Sequence, residues 1–566
     1  MFAAFLILAL QATPLPSPAA SPVPSPAVTA APSPAVTGAP SPSPTPPNAL
    51  ALQPAAVNLH PNQSAPVGIA GGTAPFTVAV DTPLVSAAID QEAHTLSVVA
   101  SANTGRAVVT LTDAAGNSAQ LPVRVAYDAA VVPPNVTLRV TGDALQTQWL
   151  QGQVLKALAK AVQVQPGTTA RYGAFALPSV IGPGASADIP VAVAVTGGET
   201  YFDVNATTTV TLQNVAAPSF LPPLLFYDDD PERVVAEGVL YRNRVTPQNP
   251  ARLYYYHQNM QQPHRIVVVF APAQSGDPST VQLIDASAGP NIDVMTVGHA
   301  VSRDFLVDKA HNNGTIVDVG AAPYVADAFL AQPGDGVAGS IGINVLSGGP
   351  VDVAVLSIPA TVTDDQIAQY LNAPKLPGDG HRRTGTFSLS NYGQERLPFS
   401  VGGDDAYTQY GATTPPSTDN AGRDVGDYGV IHTLTFDVTN PGSAPATVYL
   451  YEEPLGGVVR SSFLVNGVLN EVGCARVSQK YQIGQPLSVD PGRSEIVVQT
   501  MTDGGSNYPL GVGMSSTPPL PQTPPISAPD GCFPKPQPST PAETSPETPP
   551  SPIPAQSPAV TASPSP

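Results

Sequence analysis

Charge is scarce in this chain. Lys, Arg, Asp and Glu make up 11% of its 566 residues, against about 25% in ordinary soluble domains. Basic clusters are missing altogether: the first Lys or Arg is Arg106, and the net charge is −19. A chain without a basic face has no means of gripping a phosphate backbone, so nucleic acid is excluded as a partner. The acidity is spread thinly and reads as solubility. After the N-terminus no apolar run reaches eighteen residues, so no transmembrane helix is expected in the mature chain. Catalytic signatures are absent too. Gly336–Gly342, "GVAGSIG", has Ala338 where a nucleophile elbow needs its first Gly. There is no His-Glu-x-x-His and no phosphate loop, and the eight His are scattered without metal-ligand spacing. Cysteine is limited to Cys474 and Cys532. In an exported chain an even pair implies one disulfide; two buried free thiols is the other possibility.

What the chain has in abundance is Pro, 68 residues, and Gly, 48. The prolines concentrate at the ends. Residues 13–47 hold 13 of them, and "SPAVTA" occurs both at Ser25–Ala30 and at Ser557–Ala562. Segments of this kind cannot bury apolar surface, so residues 13–48 and 516–566 are expected to be disordered, with polyproline II character. "LPQTP" at Leu520–Pro524 lacks the Gly of a sortase signal and reads as coincidence. Residues 1–12 open with the apolar run Phe2–Leu10, too short to span a bilayer, followed by a small-residue context; they read as a signal segment that lacks the usual basic start. The expectation is export.

Between the ends, short Val- and Thr-rich runs alternate with turn residues. Residues 49–130 contain "FTVAV", "TLSVVA", "RAVVTLTD" and "AQLPVRVAY", separated by signals such as "DAAGNS" at Asp113–Ser118, the pattern of a small β-sandwich. This stretch resembles bacterial immunoglobulin-like surface modules, a likeness that implies a spacer or adhesion module and carries no catalytic residues over. Residues 134–217 read as a small α+β module. Its helix is expected over Asp143–Val162, where Leu145, Trp149, Leu155, Leu158 and Val162 recur at helical spacing and Asp143 can cap the start. Trp149, the one Trp, is expected to be a core anchor.

The remainder contains an internal repeat. Leu253, Asn259 and Phe270 have the spacing of Leu434, Asn440 and Tyr451, and Phe305-to-Pro333 has that of Phe463-to-Pro491. The first copy carries about 23 extra residues, expected around Ala273–Thr296. Tandem β-sandwiches over residues 220–360 and 380–515 follow. Two acidic stretches lie in this region, "YDDDPER" at Tyr227–Arg233 and the loop Ser417–Gly429. Asp and Asn are ordinary turn residues, but Asp419, Asp424 and Asp427 are also candidate Ca²⁺ ligands, since Ca²⁺ takes oxygen donors from such loops. No other cofactor is called for.

The sequence therefore predicts a mainly β, multi-domain chain of tandem β-sandwiches with one small α+β module and disordered Pro-rich termini. The expected role is a secreted or cell-surface, non-catalytic structural or adhesive one, with a surface glycan or protein as partner. The alternative is an extracellular carbohydrate-active enzyme or a carbohydrate-binding accessory protein. If a catalytic cleft exists, its expected place is the seam between the two repeats, where the acidic stretches could converge.

Overall fold

The computed structural model describes residues 49–143, 145–273, 278–524 and Cys532. The signal segment, the Pro-rich linker of residues 13–48 and most of the C-terminal tail lie outside the described residues. Strands account for 51% of the chain and helices for 8%, so the fold is mainly β.

The first sandwich consists of two four-stranded sheets. One runs Ala51–Gln53, Ser64–Ala70, Thr95–Ala100, Val85–Asp90; the other runs Val57–Leu59, Ser118–Val125, Gly105–Thr112, Thr77–Val80. Side chains alternate along a strand, so Leu96, Val98 and Ala100 point inward from one sheet and Leu121, Val123 and Val125 from the other. The Asp113 carboxylate accepts from the amides of Ala115 and Asn117 at 3.0 and 2.8 Å, and Gly116 takes φ 85°. That is how "DAAGNS" turns the chain.

The second module contains α1, Thr147–Ala161. It is shorter than the sequence pattern, and Asp143 does not cap it: Gln146 holds the N-cap position without a side-chain bond. Leu150, Val154 and Leu158, one turn apart each, form the buried stripe. Trp149 and Leu145 pack half-buried against that core. The module's sheet does not end at its boundary. Strand Asn135–Thr141 pairs antiparallel with Gly314–Val319, Val140 opposite Thr315, so the second module and the first repeat share one 11-stranded sheet.

The two repeats have the same strand order. One sheet of the first runs Leu224–Asp228, Ala251–Asn259, Gly336–Ser347, Ser279–Asn291, Gly314–Val319; the second has Gln394–Ser400, Ile431–Asn440, Gly492–Met501, Val459–Val465, Val468–Ala475. In both copies the first pair is parallel and the rest antiparallel. The opposing sheets also correspond, with His264–Pro272 and Ala446–Pro454 in equivalent places. Strand Thr384–Ser388, in the stretch assigned to the second copy, pairs instead with Leu224–Asp228 in the first copy's sheet.

The insertion in the first copy is a helix, α2, Val294–Ala310, standing between strands Ser279–Asn291 and Gly314–Val319. It lies later than the stretch from which the extra residues were expected. It also breaks the pairing of Phe305 with Phe463: Phe305 is on α2 and Phe463 on a strand. The shared Phe-Leu-Val triplet is a coincidence of composition, whereas the Asn259–Asn440 correspondence lies at the same strand end in both copies.

Residues 516–524 of the tail, expected to be disordered, instead pack along the last sandwich. Leu520 bridges Tyr481 in parallel, its amide donating to the Lys480 carbonyl at 2.9 Å and its carbonyl accepting from Gln482 at 2.9 Å. The amide of Gly473 donates to the carbonyl of Thr523 at 3.1 Å. "LPQTP" is thus a strap over the open edges of the second repeat. Cys474 and Cys532 are disulfide-bonded, with Cα atoms 5.4 Å apart.

Candidate functional site

The fold brings the two acidic stretches together at the seam between the repeats. "YDDDPER" runs off the end of strand Leu224–Asp228, and the loop Ser417–Gly429 docks against the neighbouring strand Thr384–Ser388, Thr418 donating to Thr386 O at 2.8 Å. Each carboxylate there makes at least one bond within the protein, while Asp228 Oδ1, Asp229 Oδ1 and Asp424 Oδ2 are buried without a hydrogen-bond partner. Asp228 is fully buried against His257, Oδ2 to Nε2 2.9 Å, while His257 Nδ1 lies 3.0 Å from Pro231 O. Burial pushes the imidazole down, but Asp228 outweighs it and His257 ends above its ordinary value. The Tyr227 hydroxyl donates to Asp229 at 3.1 Å, and Arg383 pairs with Asp229 and Glu232. Burial holds the Asp229 carboxyl well above the usual range, with Arg383 opposing. Asp230 accepts from the Asp379 amide at 2.6 Å.

The loop carboxylates face different ways. Asp419 accepts from the amides of Thr386 at 2.8 Å and Ala421 at 2.9 Å. Asp427 accepts from the Tyr392 hydroxyl at 2.9 Å and the Gly411 amide at 3.0 Å. Asp424 accepts from the Tyr428 amide at 2.8 Å; burial and the charge of Asp427 raise its carboxyl well above the usual range. The three candidate Ca²⁺ ligands therefore hold three separate turns and do not converge on one point. Among the described residues no group of three or more His, Cys, Asp or Glu could hold a metal ion. Around these acids stands a tyrosine ladder. Tyr227 to Tyr254 is 6.1 Å between ring centres, Tyr254 to Tyr428 6.3 Å, Tyr428 to Tyr508 5.8 Å. The triple Tyr of strand Ala251–Asn259 is packing, as its alternation on both strand faces requires.

A second polar cluster, invisible in the sequence, lies where α2 docks on the second repeat, against strands Val459–Val465 and Gly492–Met501. His299 Nδ1 is 2.6 Å from Asp503 and its Nε2 3.0 Å from Glu471. Arg460 donates to Thr296 at 2.8 Å. Burial opposes protonation of His299, yet the two carboxylates push it up to about 9. Gly298 touches Gly504 so closely that a Cβ there would lie 2.0 Å from the Gly504 oxygen. No sequence signal links positions so far apart in the chain; only the fold does.

No family model matches this chain, and no curated protein does. Solved structures with a distant likeness include tripeptidyl peptidase 2, at 10% identity, 82% of this chain and 33% of that one, TM-score 0.12. Others are the Bacteroides ovatus mixed-linkage glucan utilization locus protein SGBP-B, at 10% identity, 53% and 72% coverage, TM-score 0.13, and the Yersinia pseudotuberculosis adhesin InvE, at 10% identity, 55% and 57% coverage, TM-score 0.12. The chain spans about a third of the length of the peptidase structure. At these TM-scores the likenesses assign neither fold nor activity. Among the described residues, no helix is long and apolar enough to cross a membrane.

Proposed function

We propose that this chain is an exported, cell-surface protein with a non-catalytic structural or adhesive role, a stiff series of sandwiches carried between Pro-rich tethers. The observation that carries the reading is the seam. The acids that could have formed a catalytic pair are buried and committed to holding turns and strands in place, so they serve as struts. An active site needs a reacting group held against an acid or base in a place a substrate can enter, and Asp228, His257, Asp424 and Asp427 are all shut away from solvent. The disulfide and the tail strap that closes the last sheet edges fit an oxidising, extracellular setting. The test is surface biotinylation of intact cells with a pull-down of the purified chain against cell-wall glycans and matrix proteins. Labelling together with retention on one of them supports the reading. Recovery only from the cytoplasm overturns it.

A further inference from the structure

Strand Val468–Ala475 is the outer strand of its sheet in the second repeat, and two distant parts of the chain meet on it. Its side chains reach α2 of the first repeat. The Glu471 carboxylate lies 3.0 Å from His299 Nε2 and 3.7 Å from Arg303, and Leu469 packs with Phe305 and Leu306. Its outer backbone edge carries the tail strap. The Gly473 amide donates to Thr523 O at 3.1 Å. The Gln522 side chain donates to the Glu471 carbonyl and accepts from the Gly484 amide at 3.0 Å. Gly473 leaves no room for a side chain, since a Cβ there would lie 2.1 Å from Pro524 O. Cys474, the next residue on the strand, holds the tail through Cys532, and both cysteines are half-buried, within reach of a reductant.

We propose that the strap is a redox-gated latch on the clamp between the two repeats: with the disulfide closed it holds Val468–Ala475, and with it Glu471, against α2, and with the disulfide open it lets go. The strand needs that support. Its pairing with Val459–Val465 shifts register, Val459 facing Ala475 and Ser461 facing Val472, so Gly473 and Cys474 fall out of register at the place where the strap binds. An edge strand paired on one side only opens locally at low cost. The strap itself is held by few bonds and buries little apolar surface, Leu520 being 46% exposed. The tether supplies the rest, because a segment bound to its site by a covalent link rebinds at high effective concentration. The gating step is thiol–disulfide exchange with a dithiol. The dithiol gives two electrons and two protons to the Cys474–Cys532 bond, which breaks to two thiols, and closes to its own disulfide.

The experiment follows hydrogen exchange of the full chain, oxidised and after dithiothreitol. Beside it stand Gly473→Ala, which pushes the strap off with the disulfide intact, and Glu471→Ala, which cuts the clamp directly. On reduction, and in Gly473→Ala, exchange in Val468–Ala475 and in α2 should rise about tenfold or more, while Gly105–Thr112 and Ser118–Val125 of the first sandwich keep their rates. In Glu471→Ala, reduction should still speed exchange in the strand and add less than about threefold in α2. Unchanged exchange in α2 after reduction overturns the proposal, and the reduction arm needs no variant to fold. An equal rise in the first sandwich overturns it too, since that marks a general loss of stability. So does a full tenfold increment in α2 of Glu471→Ala, which would show that the strap acts by another route.

Discussion

Asn259 and Asn440 show what a single side chain contributes to both repeats. Each sits buried at the end of its strand, and its amide donates across the sandwich, to Ala331 O at 2.9 Å and to Val489 O at 3.0 Å. Its own oxygen accepts from the following turn, at Gln261 and at Gly442. The residue therefore pins a hairpin and joins two sheets at once. Asn440→Ala leaves a buried carbonyl unpaired and is expected to cost about 1–3 kcal/mol, read as a lower urea midpoint at unchanged slope; a midpoint equal to wild type would contradict this role. The loop acids give a second expectation. Because Asp419, Asp424 and Asp427 hold separate turns, adding calcium or EDTA should leave the melting temperature where it is, and a rise of several degrees with calcium would contradict that assignment. The Asn spacing was legible in the sequence because a buried Asn in a Val- and Thr-rich strand is unusual. The partners of those acids were not, since an Asp in a turn is written the same way whether it binds backbone or metal.

At the scale of elements, α2 is where sequence reading failed and the fold explains why. A helix packed on one side shows one apolar stripe. This one is pressed between the sheet of the first repeat and the strands of the second, so Met295, Val297, His299, Val301, Ser302 and Phe305 are all buried and no stripe appears. Its N-cap, Asp293 accepting from Thr296, was written in the sequence but sits in a Val-rich stretch that looks like strand. Strand alternation in the first module, by contrast, was legible because one face of each strand is exposed. The docking of α2 should depend on pH. His299 faces Asp503, Glu471, Arg303, Arg460 and Glu452. A histidine raised from its ordinary value to about 9 stabilises the folded state fully below about pH 6.5, and this contribution is lost as pH rises through 9. Burial raises Glu452 to about 8, which acts in the same direction, because the unfolded carboxyl ionises first. Glu471, held low chiefly by its bond to His299, adds stability above its unfolded value and loses it only in acid. Unfolding midpoints should therefore fall between pH 7 and 9.5, by on the order of 3 kcal/mol for the histidine. His299→Gln should flatten that slope; an equal slope in the variant would contradict the assignment. Gly298→Ala should separate the helix from Gly504 and lower the melting temperature at every pH.

Across the whole molecule, the modules are welded rather than strung. Arg124 donates to Gly198 and Tyr201 carbonyls across the first junction, a shared sheet crosses the second, and α2 clamps the third. The sequence made the modules and the repeat visible, because turns and period-two patterns are local. It did not show the shared sheet, because strand pairing between modules is decided by edges that no single stretch encodes. The disulfide anchors the strap to the last sandwich across a sequence separation of 58 residues, for which chain entropy gives roughly 4 kcal/mol. Reduction, or Cys474→Ser with Cys532→Ser, should lower stability by about that much without changing the fold of the first three modules. The most direct test of the central claim, that the seam acids are struts and not catalysts, is a turnover screen of the full chain against glycan, ester and peptide substrates, run beside Asp228→Ala and Asp424→Ala. The account predicts no turnover in any of the three and a lower melting temperature in both variants. Hydrolysis by the wild type that either substitution abolishes, in a protein that remains folded, would contradict it.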